Sequence, residues 1–200
     1  MKTKLLVLIG IIVLMSGCAF KDQKLAIEYT SDGVKSNKEG SICLNKFTDI
    51  RADKSRIGIV KNTLGMETAN IITDQDITIL VSNAVKEELV NLGYKVNLVN
   101  VKYKDGQGFS NNCTFIDGKI QNFFVEPEFG LMAVDGKSVI TVNMLIQTPD
   151  GKVYKKVYSS NGESRSYIGG FAGLFKESMD DALNKIIRNI KTDLPSIIEK

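Results

Sequence analysis

The spacing of apolar residues changes several times along this chain, and each spacing predicts a different element. An unbroken apolar run occupies residues 5–15. The polar stretch that follows contains one short apolar segment at 25–29, which predicts a tether that leads into a first strand. Short, partly alternating β-branched stretches at 41–51 and 56–61 predict two more strands.

Two segments have the three- and four-residue spacing of amphipathic helices. The first covers 77–92, with residues 73–74 as its cap and Gly93 as its stop. The second covers about 174–194 and is predicted to end at Pro195, because proline interrupts the helical hydrogen-bond ladder. Both apolar stripes are expected to pack on a sheet.

The strongest two-residue alternation lies in the second half of the chain. It predicts strands over 113–125 and 129–148, the latter divided by a hairpin turn at 135–136. A turn at 149–152 leads into a further strand, so that 129–159 is expected to form an antiparallel meander. The remaining predicted elements are a strand at 94–99 and loops at 102–112 and 161–173.

The amino-terminal segment has the features of an export signal that ends in a cysteine. Lys2 and Lys4 precede the apolar run, which is shorter than the roughly 20 residues of a spanning helix. The sequence Met-Ser-Gly-Cys at 15–18 resembles the lipobox of bacterial lipoproteins. The resemblance implies that 1–17 is a lipoprotein signal peptide and that Cys18 carries acyl chains, palmitate among them, as a membrane anchor. An ordinary secretory signal with a chance cysteine is the alternative.

The residue after this cysteine indicates in which of the two bacterial membranes such an anchor would be placed. In enterobacterial lipoproteins an aspartate there favours retention in the inner membrane, so Ala19 implies an outer-membrane lipoprotein that faces the periplasm. After cleavage, the chain is expected to divide into a lipidated tether with a first strand over 18–38, a single domain over 39–195 and a tail over 196–200.

Charge and composition narrow the classes of function. The chain has 26 basic and 23 acidic residues, and loss of Lys2 and Lys4 with the signal lowers the net charge from +3 to +1. Because no basic patch is evident, we expect no nucleic-acid partner. The chain has no histidine, which excludes Ser-His-Asp and Cys-His catalysis and leaves a zinc site without imidazole ligands. We therefore expect neither an enzyme nor a metal or other cofactor.

Two cysteines remain once Cys18 is assigned to the anchor. Cys43 and Cys113 form an even pair in an exported protein, which is consistent with one disulfide. The alternative is that both are buried free thiols that pack as small apolar residues.

Several short motifs are similar to those of a known family. They are Thr-Asp-Ile-Arg at 48–51 with Ile-Gly at 57–58, the segment 76–96 with its Leu-Gly-Tyr end, and Gly-Lys-Ile-Gln-Asn-Phe at 118–123. With the order of elements, they resemble the YajG-type outer-membrane lipoproteins of the wider TolB-N-like periplasmic superfamily. This resemblance implies an α+β fold, a TolB-N-like two-layer α/β sandwich with a mostly antiparallel sheet and two main helices packed on it. It implies no catalytic residues.

Two groups of residues are candidate partner contacts. Asp49 and Arg51 lie two apart, on one face of a predicted strand, where they either form a structural ion pair or meet a partner. Tyr167, Phe171 and Phe175 lie in or beside a glycine-rich segment, where they either form an interaction surface or close the core over the sheet.

These features together predict a lipid-anchored, non-catalytic module of the cell envelope. The expected partners are the membrane, through acylated Cys18, and a periplasmic or outer-membrane protein for which the domain acts as an adaptor. The alternative is an accessory lipid-binding subunit of an ABC-type lipid transport system, which would require an apolar groove for an acyl chain.

Overall fold

The computed structural model describes residues 21–62, 64–102, 112–130, 133–167 and 171–199. Cys18, the predicted anchor residue, and most of the predicted loop at 102–112 lie outside these ranges.

The described chain forms two helices, α1 (Ile77–Asn91) and α2 (Phe171–Ile198). Neither helix is both long and apolar enough to cross a membrane. The nine described strands are β1 (Gln23–Lys24), β2 (Ser41–Asn45), β3 (Thr48–Asp49), β4 (Gly58–Lys61), β5 (Glu67–Ile72), β6 (Lys95–Val99), β7 (Thr114–Phe129), β8 (Val134–Gln147) and β9 (Val153–Ser166).

The strands form one mixed sheet built around the long strand β7. On one side of β7, strands β8 and β9 continue an antiparallel meander. On the other side, β2, β3 and β4 pair with successive parts of β7 in parallel. Strand β6 extends the sheet beyond β2, and β5 followed by β1 extends it beyond β4.

Both helices pack on the same face of this sheet. The predicted apolar stripe of α2, which includes Leu183, Ile187 and Leu194, is fully buried there against sheet residues such as Ile140 and Val142. Burial of this stripe supplies the main apolar contact between the helical layer and the meander. The predicted α+β class, with two helices packed on a sheet, is confirmed.

The helix ends differ in part from the prediction. The N-cap of α1 is Asp76, whose carboxylate accepts hydrogen bonds from the N–H groups of Thr78 and Ile79. Gly93 ends α1 as predicted, in a left-handed conformation with φ of 103°. Helix α2 continues through Pro195 to Ile198, so residues 196–198 of the predicted tail are helical. Burial of Ile197 compensates for the hydrogen bond that proline cannot make.

The meander is longer than the alternation predicted. Strands β7 and β8 are joined between Phe129 and Val134, whereas the predicted turn at 135–136 lies inside the ladder, with Asp135 opposite Glu128. Strand β9 continues to Ser166 through residues that were predicted to form a loop. Strand β5 had no counterpart in the prediction.

The segment predicted as a tether and first strand packs on the domain from residue 21 onward. Its strand is β1, at 23–24, and residues 25–29 are not a strand. Leu25 and Ile27 are buried in the main core. These two side chains gain more from burial than they would in an extended, solvated tether.

Candidate binding surface

The face of β7, β8 and β9 that is turned away from the helices carries its own set of side chains. Alternate residues of each strand point to this open face, because side chains of a strand alternate between the two faces of its sheet. A shallow depression of about 470 Å³ lies across the three strands. Its lining includes Asp117, Lys119, Gln121, Asn143, Leu145 and Val157.

Polar contacts organise the floor and rim of this depression. The Asn143 side chain donates a 2.9 Å hydrogen bond to Gln121 Oε1. The buried carboxylate of Asp117 accepts a 2.8 Å hydrogen bond from Asn45 Nδ2. Val157 is 70% exposed at the side of the depression. The surface therefore combines an apolar contact with fixed amide groups.

A disulfide lies at one end of the open face. Cys43 of β2 and Cys113, just before β7, are joined with 5.8 Å between their Cα atoms. They pack with Phe115 and Leu145 in a small apolar cluster separate from the main core. The covalent link ties β2 to β7 and so holds this end of the face in place.

Charged residues occupy the opposite end of the open face. Lys137 lies 2.7 Å from Glu163 and 3.8 Å from Glu128 across the strands. Arg165 binds the Asp135 carboxylate at 2.6 Å, and this contact holds the pKa of Asp135 below its ordinary value. These side chains form a ladder of paired charges, in which each carboxylate is neutralised by a neighbour.

The outer edge of the open face is strand β9. In the described part of the chain, β8 is the only strand that pairs with β9. Thr148 N–H donates to the Lys152 carbonyl at 3.0 Å, so these two residues begin the series of hydrogen-bonded pairs between β8 and β9, which recur at every second residue. Because backbone bonding alternates along an antiparallel pair, Val153, Val157 and Ser159 turn their N–H and C=O groups away from β8.

Helix α2 covers one part of this edge. Lys185 Nζ donates to the Asn161 carbonyl at 3.3 Å, and the Glu163 N–H donates to Asp181 at 3.3 Å. Lys185 and Asp181 also pair with each other at 2.7 Å. Such contacts protect an edge from unwanted strand pairing, and they act on 161–163 rather than on 153–159.

The predicted pair Asp49 and Arg51 forms an ion pair with 3.0 Å between Oδ2 and Nη2. The guanidinium also donates to the carbonyls of Arg56 and Phe123. Arg51 is buried, so its donors are used within the fold, as the ion-pair alternative expected. A polar cleft of about 310 Å³ lies beside the pair and reaches Asp76 at the start of α1.

The three aromatic candidates do not form one surface. Tyr167 follows the end of β9 and is 72% exposed, whereas Phe175 is fully buried in the main core. Phe175 is therefore a packing residue, because its ring lies between α2 and the sheet, and the predicted partner contact at this residue is corrected. The side chain of Phe171 and the predicted anchor Cys18 lie outside the described part of the structure.

Comparison with known proteins agrees with this architecture. A family model described as "uncharacterized lipoprotein" matches residues 34–196. The chain belongs to this lipoprotein family. The protein is accordingly a lipoprotein of the cell envelope, held at a membrane by its anchor. No curated protein matches the sequence of this lipoprotein.

Three solved structures are similar to the lipoprotein to different degrees. A crystal structure of a Xanthomonas campestris protein has a TM-score of 0.56 and 13% identity, and the match covers 88% of this chain and 99% of that one. This likeness shows a shared fold. A Helicobacter pylori homolog of a neuraminyllactose-binding hemagglutinin has a TM-score of 0.46, 12% identity and coverage of 85% and 94%. A minor lipoprotein from Acinetobacter baumannii has a TM-score of 0.41, 8% identity and coverage of 76% and 94%.

Sequence reasoning did not single out the β9 edge of this lipoprotein. Val153 and Val157 alternate with polar residues, a pattern that predicts a strand but not whether that strand has one neighbour or two. The described ranges contain no cluster of three or more histidine, cysteine, aspartate or glutamate residues able to hold a metal.

Proposed function

We propose that this lipoprotein is a non-catalytic binding module that holds a periplasmic or outer-membrane protein at the membrane, and that the partner adds a strand to the edge of β9. The observation that carries the proposal is the outward direction of the backbone groups of Val157 and Ser159. Strand addition gives affinity through main-chain hydrogen bonds and specificity through alternate side chains.

The surroundings of this edge fit a protein partner. The exposed side chain of Val157 offers an apolar contact beside the edge, and the fixed amide of Asn143 offers hydrogen bonding. Tyr167, just beyond the far end of β9, presents an exposed aromatic ring as a second apolar contact. Interfaces are enriched in tyrosine, which joins a large apolar area to a polar tip.

Binding without catalysis accounts best for the chemistry of the open face. Its acidic groups are held in pairs, as Asp135 is by Arg165 and Glu163 is by Lys137. A catalytic carboxylate would instead face a cleft in which substrate could reach it. We therefore assign the lipoprotein neither a cofactor nor a nucleic-acid partner.

The membrane proposed for this module is the outer membrane. Acylated Cys18 would be the anchor, and Ala19 stands after it in place of the aspartate that favours inner-membrane retention in enterobacterial lipoproteins. Acyl chains on one cysteine give stable attachment because each buried methylene contributes about 0.8 kcal/mol. The domain would then face the periplasm.

An accessory role in an ABC-type lipid transport system is the second candidate. It needs an apolar groove, whereas the depression on the open face has Lys119, Gln121 and Asn143 on its lining. We therefore favour a protein partner. Native mass spectrometry of the purified lipoprotein separates the two, because phospholipid retained by the domain would reverse this preference.

The decisive experiment is site-specific photo-crosslinking in cells. A benzophenone amino acid replaces Asn143 beside the proposed edge, or Val90 on the exposed side of α1 as the control position. We expect one envelope protein to crosslink from position 143 and not from position 90. Equal crosslinking from both positions would contradict a specific surface.

A matched pair of variants tests strand addition itself. Val157→Pro removes the outward N–H and leaves the hydrogen bonds with β8 intact, whereas Val157→Ala keeps that N–H and shortens the side chain. We expect Val157→Pro to abolish the crosslink from position 143 and Val157→Ala to retain most of it. Loss in both variants would point to side-chain recognition, and retention in both would reject the β9 edge.

A further inference from the structure

The hairpin between β4 and β5 exposes two large apolar side chains. Leu64 is 80% exposed, the highest value among the large apolar side chains of the described residues, and Met66 is 56% exposed. The two lie two residues apart on a single turn. Isolated apolar residues are common on protein surfaces, but a pair at the tip of a projecting hairpin is suited to a contact with another phase or molecule.

The backbone of this turn is hydrogen-bonded within itself. Asn62 Oδ1 accepts 3.0 Å bonds from the N–H groups of Leu64 and Met66. Asn62 N–H donates to the Met66 carbonyl, and Gly65 N–H donates to the Asn62 carbonyl, each at 2.9 Å. Gly65 has a φ of 79°, which the turn requires. Because these polar groups already have partners, the tip can enter a less polar medium at reduced cost.

The direction of β1 leads the chain toward this tip. Strand β1 is parallel to β5, with Gln23 opposite Ile71, and Asp22 Oδ1 accepts a 2.9 Å hydrogen bond from Asn70 N–H. Traced backward from Lys24 to Asp22, the chain therefore runs toward the amino-terminal end of β5, which follows Met66.

The distance to the anchor is short. Cys18 precedes Asp22 by four residues, and an extended chain spans at most about 3.6 Å per residue, which gives a reach of about 14 Å. Met66 also lies four residues from Asn70 along the chain. A lipid on Cys18 would thus hold the bilayer surface within reach of the hairpin tip.

The charges near the tip do not oppose such a contact. Glu67 pairs with Arg56 at 3.0 Å, and Glu126 pairs with Lys61 at 2.5 Å. Asp22 is engaged with Asn70. The charges of Glu67 and Glu126 are paired with cations within the fold, so these two carboxylates repel anionic lipid headgroups only weakly.

We infer that Leu64 and Met66 enter the lipid surface beside the anchor and orient the domain on the membrane. This inference rests on the proposed function in one respect, the acylation of Cys18. The sheet order places β1 and β9 at opposite edges. Residues 153–159 lie across β8 from the first half of β7, whereas β4 pairs with β7 at Val125, so the hairpin contact would lie toward the opposite end of the sheet from this part of the β9 edge.

The absence of tryptophan from the chain allows a direct test. Leu64→Trp and the control Val157→Trp each introduce a single tryptophan at an exposed apolar site. The acylated full-length proteins are placed in phosphatidylcholine vesicles with brominated acyl chains. Since interfacial groups lie about 5–10 Å into the headgroup and acyl boundary, we expect quenching at position 64 at least about threefold stronger than at position 157.

A second readout uses the native Met66 and no tryptophan. A water-soluble oxidant converts exposed methionine to its sulfoxide, which peptide mass spectrometry quantifies. We expect Met66 to oxidise several-fold more slowly in the vesicle-bound lipoprotein than in a soluble Cys18→Ser form, and Leu64→Ser to remove part of this protection.

Flotation of the same vesicles separates the two proposals. Protein that floats with the lipid, but shows equal quenching at both positions and no protection of Met66, would overturn the hairpin contact and leave the anchor intact. Failure of the wild-type protein to float would overturn the anchor and, with it, the hairpin contact.

Discussion

Lys191 of α2 and Glu88 of α1 form an ion pair between the two helices, with 2.5 Å between Nζ and Oε2, although their side chains are only 9% and 3% exposed. Lys191 also contacts Asp32 at 2.5 Å. The hydroxyls of Tyr29 and Ser31 donate to the other oxygen of Glu88. One buried network therefore ties the amino-terminal segment to both helices.

Removal of the cation from this network should be strongly destabilising. In Lys191→Met, the Glu88 carboxylate stays buried without its counter-charge, so we expect the free energy of unfolding to fall by about 3–5 kcal/mol. Urea denaturation measures this loss. The control is Lys185→Met, whose exposed pair with Asp181 should contribute less than about 1 kcal/mol. If Lys191→Met lost as little stability as Lys185→Met, the buried network would not stabilise the fold.

The cap of α1 should make stability depend on acid pH. Hydrogen bonds from the Thr78 side chain, then from Lys46 and the first backbone N–H groups of the helix, outweigh desolvation and lower the pKa of Asp76 to about 2. Because an unfolded aspartate has a pKa of about 3.9, the stabilisation is complete above about pH 4 and is lost as the pH falls toward 2.

The variant Asp76→Asn isolates this effect, since asparagine caps a helix nearly as well and does not titrate. We expect the wild type to have the higher Tm at pH 6 and this advantage to vanish near pH 2. Thermal melts of both proteins across this range measure the difference. A Tm difference that is the same at every pH would contradict the assignment to Asp76.

The disulfide should contribute to stability through the unfolded chain. Cys43 and Cys113 are 70 residues apart in sequence, and closing a loop of this size lowers the entropy of the unfolded state by an amount worth about 4 kcal/mol at most. We expect the double variant Cys43→Ala with Cys113→Ala to lose about 2–4 kcal/mol in urea denaturation. Loss of much less than 1 kcal/mol would indicate that the link adds no constraint.

Two glycines should respond in opposite directions to alanine. A Cβ at Gly162 would lie 1.9 Å from the Ser178 carbonyl oxygen of α2, so Gly162→Ala must move the helix from the sheet and should cost about 1–3 kcal/mol or more. A Cβ at Gly173, in the first turns of α2, meets nothing within 4 Å. Gly173→Ala should stabilise the protein by up to about 1 kcal/mol. Differential scanning calorimetry of both variants tests the contrast.

Arg51 should act on stability rather than on partner binding. Its side chain is 8% exposed and bonds to Asp49 and to two carbonyl oxygens. We expect Arg51→Met to lower the free energy of unfolding by about 2–4 kcal/mol and exposed Lys54→Met to leave it nearly unchanged. The crosslink from position 143 should persist in the folded fraction of both variants. A lost crosslink with an unchanged Tm would instead make Arg51 a partner contact.

The elements that were predicted correctly are those whose form is set by residues close together in the sequence. The stripe of α2 that contains Leu183 and Ile187, and the alternation along β8, repeat over many residues, so the pattern identifies the element without knowledge of its contacts. The observed N-cap of α1, Asp76, lies two residues beyond the predicted cap at 73–74, and a shift of this size is usual for helix boundaries.

The errors arose where the outcome depends on distant residues. Residues 161–166 were predicted to form a loop because they contain a glycine. Gly162 nevertheless lies in strand β9, at a point where α2 approaches the backbone too closely for any side chain. Strand β5 pairs with β4 and with β1, and the alignment of β1 with β5 joins residues 48 apart in sequence. A short pattern contains no information on such a partner.

Residue type and local spacing were enough to predict an export signal with a candidate lipid anchor and the two amphipathic helices, and the absence of histidine excludes histidine chemistry. Other properties follow from tertiary packing: Phe175 is buried while Tyr167 is exposed, Glu88 meets Lys191, and among the described strands β9 pairs with β8 alone. These properties depend on which segments pack together, and packing energy is summed over contacts between residues far apart in the chain.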